Sequence, residues 1–265
     1  MTSLAETPEA ARGSAAVKSA DRALIIVELV SARGSVRFND ITEILRIPQS
    51  SAHALLQTLM GRKWLDYDAE TRRYSLGLHV WQIGQTYTGN GDLVAVAKPV
   101  MDRLAEELGE TVQLARLDGA ENVYLAISES SRPMRIASTV GARLPAHATG
   151  IGKALLSQLP PEISAKRLRL AELIACTPRT VTDPRQLDRI IDDVRRSGFA
   201  TDYEEVLMGC CCVAVPLLDD GKGGITALSV TTTTGSAGPD WPQNELDLLQ
   251  AAAAVIRTRA ASTVL

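Results

Sequence analysis

Residues 36–63 read VRFNDITEILRIPQSSAHALLQTLMGRK. Asn39 and Asp40 are good helix N-caps, and Glu43 follows Asp40 by three positions, the spacing of a reciprocal capping pair. Ile41, Ile44 and Leu45 then share one helical face. This helix cannot pass Ile47, because Pro48 disfavours helical backbone in the residue before it. Pro48 instead suits the first turn of a second helix, where its missing N–H is no loss. That helix carries Ala52, Leu55, Leu56 and Leu59 inward and Gln49, Ser50, Ser51, His53 and Gln57 outward. The outward side chains are short or neutral hydrogen-bonding groups, suited to base edges and phosphates. Arg62 and Lys63 follow, where cations also suit the C-terminal end of the helix dipole.

Trp64, Leu65 and Tyr67 lead into Asp68-Ala69-Glu70-Thr71, then Arg72, Arg73, Tyr74 and Leu76. Two short strands around a polar turn tipped by two arginines make a hairpin that can lie along a phosphate backbone. Two helices at this spacing also occur without DNA, so a small helical bundle with a solvated hairpin is the competing reading of the same residues.

The chain has 265 residues, which points to two domains, and a formal net charge of −3. Residues 17–75 hold nine Lys/Arg against seven Asp/Glu, a net of +2, while residues 76–265 hold 18 against 22, a net of −4. A mildly basic head on an acidic body suits a DNA-binding module joined to something else. No apolar run reaches membrane-spanning length. The N-terminus has no apolar core of a signal peptide, so the expected location is cytoplasmic. Four cysteines, three of them adjacent at Cys210, Cys211 and Cys212, make no disulfide framework. Ten aromatic residues imply an aliphatic core.

Residues 1–16 lack apolar periodicity and read as a disordered tail. Ala20, Ala23, Leu24, Val27 and Val30 give the first helix, within a head spanning 17–77. The apolar run Leu78, Val80, Trp81 and Ile83 predicts a linker helix over 78–91. A second domain, 92–262, opens with an amphipathic helix to Leu108. Period two then takes over: Val112 and Leu114, then Val123, Leu125 and Ile127, flank a turn at 118–122. Residues 136–140 are a further strand candidate. Helices follow over 149–159 and 162–175, then from Asp183-Pro184 to Gly198. Strands at 211–218 and 225–231 precede a closing helix from Pro242 to Ala260. The fold class is α+β with a mostly antiparallel sheet.

On a strand, Cys210 and Cys212 point one way and Cys211 the other. If the glycine-rich loop at 219–224 has even length, Cys212 pairs with Thr231 and Ala214 with Ser229. Cys210, Cys212, Ser229 and Thr231 then form a polar floor on one side of a sheet whose other side is apolar, as in a small-molecule pocket. Buried core cysteines are the bland alternative. A zinc site is disfavoured, since adjacent cysteines lack the spacing that wraps a tetrahedral ion. A nucleophile at Cys212 or Cys210 would need a base such as His147. Gly150-Ile151-Gly152-Lys153-Ala154 looks like a phosphate loop but has His147 and Ala154 where the motif needs Gly and Ser/Thr. It reads as a loop feeding a helix N-terminus, which still welcomes a carboxylate.

These motifs resemble the IclR family of bacterial transcriptional regulators. The resemblance rests on residues 19–24 (SADRAL), 47–56 (IPQSSAHALL), 73–77 (RYSLG), 144–156 (LPAHATGIGKALL), 177–182 (TPRTVT), 198–200 (GFA), Glu204-Glu205 and 209–216 (GCCCVAVP), all in family order. It covers about residues 17–260. It implies a winged helix-turn-helix head, a linker helix and a GAF-like effector domain. It implies a homodimer joined through the heads, or a dimer of dimers, on a palindromic double-stranded operator. The function it implies is a repressor released by a small carboxylate or aromatic acid, without enzymatic activity or cofactor. Carried onto matching positions, Gln49, Ser50, Ser51 and His53 would touch bases or phosphates, and Arg62, Lys63, Arg72 and Arg73 phosphates. The effector would sit among Ile136, Leu144, Gly150, Ile151, Asp202, Cys210, Cys212, Ser229 and Thr231. Family members commonly carry a basic residue at Gln49 and Arg at Ala54, so operator sequence does not carry over.

Overall fold

The computed structural model describes residues 17–86, 91–130, 132, 139–218 and 224–263. The tail expected over 1–16 and the pocket residue Ile136 lie outside the described residues. The chain divides into two compact units, Met1–Tyr87 and Thr88–Leu265.

In the first unit, α1 (Lys18–Arg33) leads through β1 (Ser35–Arg37) into α2 (Phe38–Ile44) and α3 (Gln49–Gly61); β2 (Leu65–Asp68) and β3 (Arg73–Leu76) form the hairpin. The capping roles are shifted by one turn from expectation. Arg37 precedes the helix and Asp40 is its third residue, accepting from the Arg37 N–H at 2.9 Å. The chain leaves β1 directly into α2, so Asp40 takes the part assigned to Glu43. β1 was not predicted. Its three residues join the hairpin in the order β1-β3-β2, too short to show a period. Ile26, Val30, Ile41, Ala52, Leu56, Leu59 and Leu65 form the core. Leu24, expected inside, is 59 % exposed. The run Leu24-Ile25-Ile26-Val27 offers apolar groups on every face, so periodicity alone does not fix the helix phase. The helix predicted over 78–91 is also corrected. α4 (Leu78–Gln85) ends where the Thr86 hydroxyl donates to the Ile83 carbonyl at 2.7 Å; residues 87–90 lie outside the described residues, and α5 (Gly91–Leu108) opens the second unit.

The second unit is a six-stranded antiparallel sheet covered on both faces. Its strands are β4 (Thr111–Asp118), β5 (Glu121–Ser128), β6 (Arg143–Pro145), β7 (Ala200–Tyr203), β8 (Cys210–Leu218) and β9 (Thr226–Thr233), in the order β6-β5-β4-β9-β8-β7. The short edge strands β6 and β7 were not predicted. Of the strand expected over 136–140, Thr139 and Val140 are not in a strand and the rest lie outside the described residues. β8 and β9 pair Cys212 with Thr231 and Ala214 with Ser229, the predicted register. One sheet face packs Val213, Val215, Leu228 and Val230 against α5 and α9 (Gln243–Thr263). The other packs Cys212, Ala214 and Ala227 against α6 (Gly150–Ser157), α7 (Pro161–Leu170) and α8 (Pro184–Ser197). α8 keeps its predicted ends, with Asp183 as cap and Gly198 in the left-handed conformation that ends helices.

α6 is buried along its whole length, and its N-terminus is tightly seated. A methyl group at Gly152 would come within 2.3 Å of the Ala146 backbone and 2.5 Å of Thr149 Oγ1. Gly152→Ala should therefore cost the Thr88–Leu265 unit about 2 kcal/mol or more, by overpacking against backbone that cannot yield. Urea unfolding checks this, and an unchanged midpoint would show that the seat is loose.

Candidate functional site

The first unit presents α3. Ala52, Leu56 and Leu59 hold it to the core, and Gln49, Ser50, His53, Ala54 and Gln57 project to solvent, with Ser51 half-buried. Arg62 and Lys63 are exposed just past its end. At the hairpin turn the Asp68 carboxylate accepts from the Glu70 N–H at 2.8 Å and the Thr71 hydroxyl at 2.7 Å, bonds that hold it below the ordinary carboxylate range. Arg72 then takes a left-handed φ of 56° and projects. Arg73 does not join it. Its guanidinium donates back to Ser35, to the carbonyl at 3.1 Å and the hydroxyl at 3.2 Å. The pairing of β3 with β1 draws it inward and half-buries it, and there it ties the wing to the head.

In the second unit a cavity of about 330 Å³ opens between α6 and the sheet. Leu144, Ile151, Asp202, Cys210, Cys212 and Thr231 line it, as the sequence suggested. Gly150 and Ser229 lie behind the wall. A methyl group at Gly150 would sit 3.1 Å from Cys212 Sγ and 3.3 Å from the Asp202 nitrogen, and Ser229 is buried. The sequence reading missed Gln113, Tyr124, Thr149, Val206 and Leu207, which also line the cavity. Gln113 was findable, since strand parity places it on the face that holds Ser229, its partner across the ladder. Its Oε1 accepts from Ser229 Oγ at 2.9 Å and Thr231 Oγ1 at 3.0 Å. The two hydroxyls are thus already engaged, and they orient the Gln113 amide so that its N–H₂ end is left for other partners.

The Thr149 hydroxyl caps α6, accepting from Gly152 N–H at 3.0 Å and donating to Asn122 Oδ1 at 2.8 Å. The N–H groups of Gly150 and Ile151 precede the intrahelical ladder, and the Ile151 N–H faces the Cys212 sulfur. Lys153 is 1 % exposed; it donates to the Thr201 carbonyl at 3.2 Å and ion-pairs with Glu205. It therefore points away from any phosphate. Asp202 accepts from the Glu205 N–H at 2.7 Å. Burial pushes its carboxyl up to about 7, against the pull of that bond and of Lys153. No lysine or arginine is among the described residues lining the cavity.

A cysteine nucleophile does not assemble. Burial first, then the Asp202 charge, pushes the Cys212 thiol up to about 12. His147 is buried, its Nε2 lies 3.1 Å from the Ile174 carbonyl, and burial lowers its pKa. Among the described residues no group of side chains is arranged to hold a metal ion, and no helix is long and apolar enough to cross a membrane.

Two measurements follow from this geometry. Cys176 is exposed and the other three cysteines are buried, so a thiol reagent on the native chain at mild pH should label one site well before the rest, and Cys176→Ser should abolish the fast phase. A fast phase that survives would revive cysteine chemistry in the cavity. Separately, native Asp202 keeps its proton to about pH 7, whereas an unfolded aspartate releases it near pH 4. The native state binds more protons in that window, so this group's contribution falls as pH rises through it. Between pH 5.5 and 7 the loss should be ~2 kcal/mol. Urea unfolding of Asp202→Asn should lack this slope; an identical slope in both proteins would reassign it.

Comparison with known proteins agrees with both units. A model described as the IclR helix-turn-helix domain matches residues 19–69, and one described as the bacterial transcriptional regulator IclR C-terminal matches residues 85–258. The HTH-type transcriptional repressor AllR of Klebsiella pneumoniae is 32% identical over 254 residues, 96% of this chain and 92% of that protein. The transcriptional repressor IclR of Escherichia coli is 30% identical, over 81% of this chain and 80% of that protein. The structure of an IclR homolog complexed with 4-hydroxybenzoate, from Microbacterium hydrocarbonoxydans, superposes with a TM-score of 0.81 at 25% identity, covering 92% of this chain and 99% of that one. Models spanning head and body, with two repressors at 30% identity or more, lead to one conclusion: this chain belongs to the IclR family of DNA-binding bacterial transcriptional regulators.

Proposed function

We propose that this regulator is a repressor whose operator grip is released by a small monocarboxylic acid with an apolar or aromatic body. The observation that carries this is the junction at the mouth of α6. The N-terminal turn of α6, whose Ile151 N–H faces the Cys212 sulfur, a carboxyl that holds its proton to about pH 7 and an amide donor meet at a cavity whose apolar walls include Leu144, Ile151, Val206 and Leu207. A helix N-terminus attracts a carboxylate. Asp202, protonated below about pH 7, then tolerates that charge and can donate a hydrogen bond to it. A volume of about 330 Å³ has room for a single ring, the size of the ligand held by the Microbacterium relative. Ile151, Asp202, Cys210, Cys212, Thr231 and Leu144 are the effector contacts in this reading, with Gln113 added; Gly150 and Ser229 support them from behind.

The DNA contacts are Gln49, Ser50, Ser51 and His53 on α3, with Arg62, Lys63 and Arg72 on phosphates. A homodimer, or a dimer of dimers, would set two heads on a palindromic operator, whose half-sites lie about 34 Å apart per turn of DNA. Exposed Leu24 on α1 and Leu78, Trp81 and Ile83 on α4 support pairing through the head.

The test is a gel shift on DNA from upstream of the chain's own gene, across a panel of aromatic and aliphatic monoacids, with Leu144→Trp beside the unmodified protein. One acid should release the unmodified protein. Leu144→Trp, which fills the cavity, should bind DNA as before yet stay bound with that acid present. Release of both alike, or of neither by any acid, would overturn the assignment of the cavity.

A further inference from the structure

The exposed ridge of α3, Ser50, His53, Ala54 and Gln57, carries no fixed positive charge, although phosphate contacts dominate the affinity of DNA-binding proteins. The cations must therefore come from beside the ridge. A groove runs along one flank of α3, between Ser51, Ala54 and Leu55 and the first turns of α1, where Val17, Lys18, Ser19 and Arg22 form its other wall. Ala54 belongs to both the groove and the ridge, so whatever faces the ridge also borders the groove.

The placement of Lys18 and Arg22 runs against local rules. They stand four residues apart on one helical face, where like charges repel, and in the opening turns of α1, where the helix dipole disfavours cations. Among the described residues neither is relieved by an ion pair. Two cations with no ion pair among the described residues, in one concavity and each in an unfavourable position for its own helix, mark a surface built for an external anion.

We propose that this groove is a phosphate seat: Lys18 and Arg22 neutralise two phosphates of the DNA strand that borders the groove entered by α3, with the Ser19 and Ser51 hydroxyls as neutral partners. This rests on the DNA-binding reading of α3 and adds a contact on a helix outside the helix-turn-helix. It separates two tasks. α3 reads base edges with neutral side chains, while α1 supplies charge-dependent affinity that is the same for every sequence.

The test measures binding of the full chain to a 30-base-pair duplex of mixed sequence across a salt series, for the unmodified protein, K18A/R22A and K18R/R22K. Two phosphate contacts correspond to a slope of log K against log salt shallower by about 1.8. K18A/R22A should show that loss on mixed-sequence and upstream DNA alike, with a melting temperature no lower than the parent, since a repulsive pair has been removed. K18R/R22K should keep the parental slope. An unchanged slope in K18A/R22A, or weaker binding without a change of slope, would overturn the phosphate seat while leaving the α3 reading intact. Salt-independent binding by the unmodified protein would overturn the DNA reading of the head itself.

Discussion

The ammonium of Lys153 is where the second unit is most constrained. A buried cation is tolerated only when it is paired and hydrogen-bonded, and Lys153 meets this with the Glu205 carboxylate and the Thr201 carbonyl. Both partners belong to the edge of the sheet or the turn leaving it, so the pair fixes α6 against β7 and fixes the 204–209 turn. That turn is held a second time by Thr177, whose hydroxyl donates to the Glu204 carbonyl at 2.6 Å, and a third by Asp202, which accepts from the Glu205 N–H. Val206 and Leu207, which wall the cavity, hang on these bonds. Breaking the pair from either side would leave an uncompensated charge beneath the cavity, a greater cost than the net value of the pair itself.

Two carboxylates, Glu205 and Asp202, lie near Lys153 and are placed differently. Glu205 takes the ammonium directly; Asp202 has its charge and a backbone N–H, but burial outweighs both. Glu205 serves the architecture, and Asp202 lines the cavity wall. Gln113 divides its groups in a similar way, its oxygen given to Ser229 and Thr231 and its nitrogen left over. In each case the sheet consumes one half of a polar group and presents the other half to the cavity.

Strand parity made the pocket floor legible in the sequence. Alternation from Cys210 to Val215 and from Leu228 to Thr231 fixed the faces, and the register of Cys212 with Thr231 followed from the length of the intervening loop. Parity also held the clue to Gln113, a polar residue between Val112 and Leu114, that the reading passed over. Tyr124, Val206 and Leu207 were beyond reach, because their positions depend on how the edge strands and the 204–209 turn close around α6. Short strands such as β1, β6 and β7, of three or four residues, carry too little period to detect. Arg73 shows a different limit: its sequence position at the hairpin tip is right for DNA, but its β1 partner becomes visible only once β1 exists.

The head shows why a neutral recognition helix need not bind weakly. Base discrimination depends on hydrogen bonds at the groove floor, while the salt-dependent part of affinity depends on how many phosphates are neutralised, wherever on the domain the cations stand. A fixed cation on the ridge itself would raise affinity for every sequence as well as the correct one. In the proposed arrangement, with Lys18 and Arg22 on α1, Arg62 and Lys63 past the end of α3 and Arg72 on the wing, Ser50, His53 and Gln57 are free to respond to base edges. An effector then need not disturb base reading to release DNA. In the proposed arrangement, misaligning the flanking cations relative to the two strands would remove a large, sequence-independent share of the binding energy. For the release proposed above, linkage requires operator DNA to weaken effector binding by the same factor.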